Sequence, residues 1–289
     1  MTATLQVLRP ADHVFAFYDG RVPNRRLHGP QPNWLDDGGY TLGTCSYAIV
    51  DGTEALVYDT HMSLDHARRI RDVLQASGAS NIRVVLSHHH LDHIAGNAVF
   101  ADVSILANAA TAEAMAQNRA NAAADDPPID PTVMPTEVFD IEHRLTVGSI
   151  EVALLSFDIH SHDGLVLWLP ATRELFAGDT LEDTVTYVAE PERLEVHLPE
   201  LDRLAKLPID RILPNHGAPE IIDAGGYAPD LIGATREYVR KLLQSRSDEA
   251  WQAMALKEFI ANQLASGSLN YHSAYEAVHQ RNIAEVRCV

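Results

Sequence analysis

Four short apolar runs along the chain each end on a side chain able to hold a metal ion. Residues 82–86, Ile-Arg-Val-Val-Leu, are apolar and β-branched, the signature of a buried strand, and Ser87 closes the run just before His88. The run at 150–157 leads to His160, the run at 174–178 to Asp179, and the run at 211–215 to His216. Open α/β sheets place their sites at the carboxyl ends of strands. Four runs with the same ending therefore weigh more than any single motif.

The rest of the pattern supplies strands and helices around those endings. Residues 5–18 and 43–58 read as a first sheet, and 145–157 with 165–169 as the opening of a second. A helix is predicted over 63–77, where Ser63 is the cap, Asp65 suits the first turn, and Leu64, Ala67, Ile70, Val73 and Leu74 form one apolar face. Residues 94–100 are apolar enough to open another helix. Ala-rich residues 109–124 are helical until Asp125-Asp126-Pro127-Pro128-Ile129-Asp130-Pro131 breaks into a loop. The spacing of Leu201, Leu204 and Ala205 predicts a helix over 199–207, and three more follow over 231–243, 251–264 and 271–283. In that tail Trp251, Leu256, Phe259, Ile260 and Leu264 read as a packing face. Tyr275 and His279 read as hydrogen-bonding within the core in preference to reaching a cleft. No internal repeat or low-complexity tract is present.

The chemistry concentrates at residues 88–93, His-His-His-Leu-Asp-His, where His88, His90, Asp92 and His93 fall within six positions. A packed core does not explain them, because each imidazole or carboxylate buried without a partner costs several kcal/mol. Imidazole plus carboxylate suits zinc, and also iron or manganese, much better than magnesium or calcium.

Composition narrows the class. A chain of 289 residues, 46% hydrophobic, can bury one large core with an appendage. A formal charge of −18 repels a phosphate backbone, so nucleic acid is not an expected partner. No run of about 18 apolar residues exists, and no membrane span is expected. The amino terminus lacks a basic start followed by an apolar stretch, and the two cysteines, Cys45 and Cys288, lie far apart. A reducing cytoplasm is the simplest location. Cys45 reads as a small buried residue on a strand. Arg21, Arg25 and Arg26 share one loop and read as solvated.

Taken together, these segments resemble the metallo-β-lactamase superfamily. The matching stretches are Ser-His-His-His-Leu-Asp-His (87–93), His-Ser-His-Asp-Gly-Leu-Val-Leu-Trp-Leu-Pro (160–170), Phe-Ala-Gly-Asp-Thr (176–180) and Ile-Leu-Pro-Asn-His-Gly (212–217). They stand in the family's order and cover roughly residues 12–220. Ala55-Leu56-Val57-Tyr58-Asp59 also looks like the strand whose terminal Asp supports the metal loops. The resemblance implies an α/β chain folded as an αββα sandwich over residues 1–226; beyond it, residues 227–289 read from their own pattern as a helical C-terminal extension packed on it. It also implies two divalent metal ions, zinc first and iron or manganese as alternatives. One would take His88, His90 and His160, the other Asp92, His93 and His216, with Asp179 bridging them. Two cations about 3.5–4 Å apart hold a hydroxide and polarise a carbonyl. Asp92 would also orient or accept the proton of the attacking water, a general-base role.

Some positions depart from the family pattern and stay open. His162 is a rival to His160, which is favoured because its distance to residues 165–169 matches the family register. His61 is read either as leaning toward the cleft or as a surface or helix-capping residue. His89 reads as packing or as support behind the ligands. Tyr187 resembles in position the tyrosine that lactone-hydrolysing relatives point at the carbonyl, and reads equally as wall packing. Trp34 and Tyr40 are candidates to stack on an apolar substrate at the mouth.

Residues 180–187 contain no Lys or Arg, and Asp158 and Asp163 flank the third motif. Relatives that bind glutathione thioesters or carboxylate-bearing lactams place cations near the metals. A neutral or weakly charged carboxylic ester or lactone is therefore the expected small-molecule substrate, cleaved by a metal-dependent hydrolase. A thioester hydrolase of the hydroxyacylglutathione hydrolase type is the alternative within hydrolysis. An iron-dependent oxidoreductase acting on a sulfur compound is the alternative of another class, disfavoured because all seven dinuclear ligands are present. A homodimer is left open as the assembly.

Overall fold

A computed structural model describes residues 2–288. Among the described residues, twelve strands form two sheets. The first sheet runs β1 (Gln6–Ala11), β2 (Val14–Asp19), β3 (Thr44–Asp51), β4 (Glu54–Tyr58), β5 (Asn81–Val85), β6 (Ile105–Asn108) and β7 (Glu137–Phe139), in that spatial order. Its first four strands are antiparallel and β4 to β7 are parallel. The second sheet runs β12 (Arg211–Pro214), β11 (Glu174–Gly178), β10 (Leu165–Leu169), β9 (Ile150–Ser156) and β8 (Glu142–Val147). It is antiparallel except for the β11–β12 pair.

Central strands of the first sheet are covered on both faces and so are apolar throughout, and period-two alternation sends successive residues to opposite sides. In β2, Val14, Ala16 and Tyr18 turn toward the second sheet, whereas Phe15 and Phe17 turn toward the helices on the outside. β4 repeats this, with Leu56 and Tyr58 inward and Ala55 and Val57 outward. The outer helices are α1 (Leu64–Ala76), the short α2 (Leu91–Ile94) and α3 (Ala109–Ala124). Ala67, Ile70 and Leu74 of α1 and Met115 and Ala122 of α3 fill the outer core. Ser63 caps α1 by accepting from His66 N, as expected, and Asn108 caps α3 by accepting from Thr111 N.

On the far face lie α4 (Leu194–Leu204), α5 (Pro219–Asp223), α6 (Asp230–Ser245), α7 (Glu249–Gln252), α8 (Leu256–Phe259), α9 (Ala261–Ser266) and α10 (Tyr275–Arg287). Leu201, Leu231, Tyr238, Phe259, Tyr275 and Val286 join the same apolar cluster as Phe176 and Leu213 of the second sheet. The architecture is the expected αββα sandwich, and the C-terminal helices share its core.

Several elements differ from the sequence reading. The apolar run at 145–157 is a hairpin that turns at Gly148, and its first strand begins at Glu142. The three-residue β7 had too little apolar content to register. The helix expected to start at Pro199 begins at Leu194, because Leu194 and His197 are buried a turn earlier and Pro199 sits inside it. The helix expected over 251–264 is three short segments, α7, α8 and α9, and the last helix begins at Tyr275 and not at Tyr271. Residues 94–100 form no continuous helix: Ile94 ends the single turn of α2, and a 3-10 turn follows at Asn97–Phe100. No helix among the described residues is long and apolar enough to cross a membrane.

Phe259 has no exposed surface and stands edge-on to Tyr238 at 5.5 Å and to Trp251 at 5.3 Å. Truncation to Ala is expected to cost about 3–5 kcal/mol, as for other buried aromatics. Urea denaturation should show that loss in a single transition of the whole chain. A loss under about 1 kcal/mol would mean that these helices do not share the core.

Candidate metal centre

The site is assembled where β4, β5, β11 and β12 end. Asp59, one residue past β4, has no exposed surface and adopts a positive φ of 65°. Its carboxylate accepts from Ser87 N and Ser87 Oγ, both at 2.6 Å, and from Asn215 Nδ2 at 2.5 Å. His93 Nδ1 lies 3.0 Å from the same group. One carboxylate thus ties the loop after β5 to the end of β12, as the strand-end Asp was expected to do. At the end of β11, Gly178 (φ 56°) turns the chain; a Cβ there would lie 2.9 Å from Tyr58 Oη and Ser87 Cβ.

Asp179 follows that turn, and its Oδ2 is the meeting point of the site. His93 Nε2 stands 3.1 Å away, His216 Nε2 3.3 Å, and His88 Nε2 and His160 Nε2 3.6 Å each. Asp92 Oδ2 is 3.3 Å from His216 Nε2. Candidate ligand atoms of His88, His90, His160 and Asp179 all lie within 4.8 Å of one another, and so do those of Asp92, His93 and His216. The structure therefore gathers all seven predicted residues, in the two groups expected, around one carboxylate.

Three of the rings are held by the nitrogen that faces away. His88 Nδ1 meets Ser87 Oγ at 2.8 Å, His93 Nδ1 meets Asp59, and His216 Nδ1 meets the Gly43 carbonyl at 2.8 Å. Such partners fix ring orientation and leave Nε2 for a metal. Burial, helped by His93 and His90, pulls the His88 pKa well down, and burial with His160 takes His90 to about 3. Burial also opposes charge on His93 and His216, but Asp179 and Asp92 outweigh it and raise both. For Asp179 burial favours the neutral acid, yet His216 and His93 hold its pKa well below the usual carboxylate range.

A metal fits this set on two grounds. His88 Nε2 and Asp179 Oδ1 are buried without a hydrogen-bond partner, an arrangement that calls for an ion. The donors are imidazole and carboxylate, which bind divalent transition metals.

Comparison with known proteins agrees. The sequence model of the metallo-beta-lactamase superfamily matches residues 39–216. The chain belongs to that superfamily. A beta-lactamase-like protein 2 homolog from Caenorhabditis elegans is 25% identical over 183 residues, 62% of this chain and 58% of the relative. The chain thus spans a little over half the length of that curated relative. Among solved structures, VMB-1 at pH 5.5 aligns with a TM-score of 0.64 and 17% identity, covering 83% of this chain and 98% of that one. DIM-1 metallo-beta-lactamase exposed to ceftazidime gives 0.60 and 18%, over 82% and 96%. A metallo-beta-lactamase from Pontibacter korlensis gives 0.62 and 16%, over 82% and 99%. These three likenesses concern the fold.

Above the superfamily motif lies a cleft of about 670 Å³. Trp34 lines it as expected, and Tyr187 stands on its wall with its ring 6.1 Å from that of His160. Tyr40 does not: it is buried among Leu35 and Met62 and meets Thr4 Oγ1 at 3.1 Å. His162 lies outside both ligand groups, paired with Glu190 at 2.5 Å. His61 is neither in the cleft nor at the surface; it is fully buried, stacked on His66 at 4.4 Å. His89 is held by Asp163 at 3.0 Å and lines the cleft. Of the arginine loop, Arg21 is drawn inward to the carbonyls of Leu42 and Asp183, whereas Arg26 pairs with Asp37 at the surface.

Sequence reasoning missed two groups. Arg281 of α10 lines the cleft, with its guanidinium 4.8 Å from the Tyr187 ring centroid, so the cation absent from the nearby segments arrives from the C-terminal helix. Glu182 lies buried beside His160. Only the spacing of Glu182, three residues after Asp179, could have drawn notice.

Two outcomes test the centre. His160→Ala should remove one metal equivalent, and His162→Ala should leave metal content intact; reversed metal analyses would move the ligand by two residues. Asp179 and Asp92 raise the pKa of both His93 and His216, which favours their protonated forms before a metal enters. Zinc uptake should therefore release protons, measurable by titration in buffers of differing ionisation enthalpy. Uptake without proton release would contradict the assignment of both rings as ligands.

Proposed function

We propose that the protein is a dinuclear metal-dependent hydrolase of a small carboxylic ester or lactone, neutral or carrying one negative charge. The observation that carries this is the floor of the cleft, where Asp179 of the first ligand group also stands 3.1 Å from His93 and 3.3 Å from His216 of the second, beneath a cavity of substrate size. Zinc is the proposed metal, from the imidazole and carboxylate donors. The cations would supply the positive charge that polarises a carbonyl.

The chain's own residues account for the remaining requirements. Asp92 lines the cleft, and although burial disfavours its charge, His93 and His216 keep it ionised and able to accept a proton from water. Tyr187 stays protonated because burial raises its pKa, so its hydroxyl can donate to a substrate oxygen. Trp34, Leu42, Leu91, Ala277 and Val278 give the cleft apolar walls for the acyl or ring portion.

Charge sets the substrate class. Arg281 is the one Lys or Arg lining the cleft among the described residues. It can meet one carboxylate, whereas the net charge of −18 opposes the approach of a polyanion. This favours a neutral or singly charged ester over a glutathione thioester or a phosphodiester. Nucleic acid is not a partner in this reading. The two cysteines, Cys45 buried and Cys288 exposed, are unpaired, which suits a cytoplasmic location.

A substrate panel at fixed metal content tests the proposal. Neutral lactones and esters should turn over far better than phosphodiesters, and aromatic or bulky apolar groups should help at Trp34. Arg281→Ala should raise KM for carboxylate-bearing esters about two- to fivefold, the range for an exposed ion pair, and leave neutral esters unchanged. Cleavage of a phosphodiester with no activity on any carboxylic ester or lactone would overturn the reading.

A further inference from the structure

We propose that Glu182 is the positioning residue for His160, and that Tyr275 of the C-terminal helix holds Glu182 in place. The contact that carries this is Glu182 Oε1 at 3.4 Å from His160 Nδ1. His88, His93 and His216 each have a partner on the nitrogen that faces away from Asp179. His160 sits outside the strands, on a residue with φ of 69°, and its Nδ1 is buried with no closed hydrogen bond. Glu182 is the acceptor that faces this nitrogen. A carboxylate there holds the proton on Nδ1, leaves the Nε2 lone pair toward Asp179 and makes the ring a stronger donor. Burial lowers the basicity of His160, yet Glu182 and Asp179 together raise its pKa.

Glu182 has no exposed surface, and its position is determined from two sides. Tyr187 N donates to Oε1 at 2.8 Å, and Tyr275 Oη donates to Oε2 at 3.1 Å. The loop that carries it is clamped by the same stretch of chain. Asn282 accepts from Val188 N at 2.9 Å and donates to Thr186 O at 2.8 Å, while Asn270 donates to Asp183 through its backbone and side chain. An unbroken line of contacts thus runs from α10 through Tyr275 and Glu182 to His160. The C-terminal helix acts on the metal centre through a ligand, in addition to forming a wall of the cleft. The inference rests on the ligand set and not on the identity of the substrate.

The test is a zinc competition titration against a chromophoric chelator, on the full-length metal-free protein. Wild type should bind two equivalents. Glu182→Gln should weaken one of them about tenfold or more, the scale for loss of such a partner, and leave the other unchanged. Tyr275→Phe, which keeps the ring and removes one hydroxyl, should weaken the same equivalent by a smaller factor. The melting temperature of each metal-free variant separates positioning from bulk stability. Zinc affinities within twofold of wild type in both variants would overturn the proposal, and so would a lowered melting temperature with unchanged affinity. Should Glu182→Gln fail to fold, Tyr275→Phe decides alone. If wild type itself took up no zinc, the ligand set would fall and this inference with it; tight binding by wild type and variants alike removes the inference only.

Discussion

A carboxylate with no access to solvent, Asp59, is the constraint around which the site is organised. A buried ion carries a penalty of several kcal/mol after relaxation unless donors surround it. Here the donors come from two separate stretches of chain: the backbone and hydroxyl of Ser87 with the ring of His93 after β5, and the amide of Asn215 after β12. Satisfying Asp59 therefore fixes the loop after β5 against the start of the loop after β12. Further backbone bonds extend the lock, from Thr60 N to His93 O, Asn215 N to Gly178 O, and Cys45 N to Asn215 O. Four strand ends become one rigid platform, as a metal site needs when its ligands are held to within a fraction of an ångström.

The superfamily match ends at His216, the last of the seven candidate ligands. What lies beyond it is chemically different from the platform. Ala277, Val278 and Arg281 of α10 form part of the cleft wall, and Tyr275 reaches Glu182 beneath. The motifs shared with relatives thus account for the metal, while the tail outside the matched region shapes what can enter. On a fold that hosts many chemistries, specificity is expected in such variable parts.

The parts legible in the sequence were those written in short-range pattern. Strand β11 and helix α3 coincide with their apolar and Ala-rich runs, and the cap at Ser63 follows from one hydroxyl before one apolar face. The seven candidate ligands were legible because metal chemistry leaves few alternatives for clustered His and Asp at strand ends. Three kinds of feature were not. Tyr40 looked like a mouth residue because its loop is, but the helical turn over Trp34–Tyr40 sends one ring to the cleft and buries the other. His61 has no local signal for burial, since its stacking on His66 depends on α1 packing against the sheet. Arg281 meets Tyr187 from a helix 94 residues further along the chain, and Glu182 meets His160 across 22 residues and an intervening strand pair, and periodicity carries no information about such contacts.

The backbone at the strand ends shows why the platform must be rigid. Asp59 and His160 both adopt positive φ, and Gly178 does so just before Asp179. For a residue with a side chain this conformation is unfavourable by about 1 kcal/mol or more, and it persists only where surroundings over-determine it. Asp59 is over-determined by its four donors, and Gly178 escapes the penalty by having no Cβ. His160 has neither advantage: its strained turn is held by packing and by whatever grips its ring. On the positioning role proposed above, the carboxylate of Glu182, 3.4 Å from that ring, is the counterpart of the donors around Asp59, acting on the side-chain end of a conformation that the backbone alone would not keep.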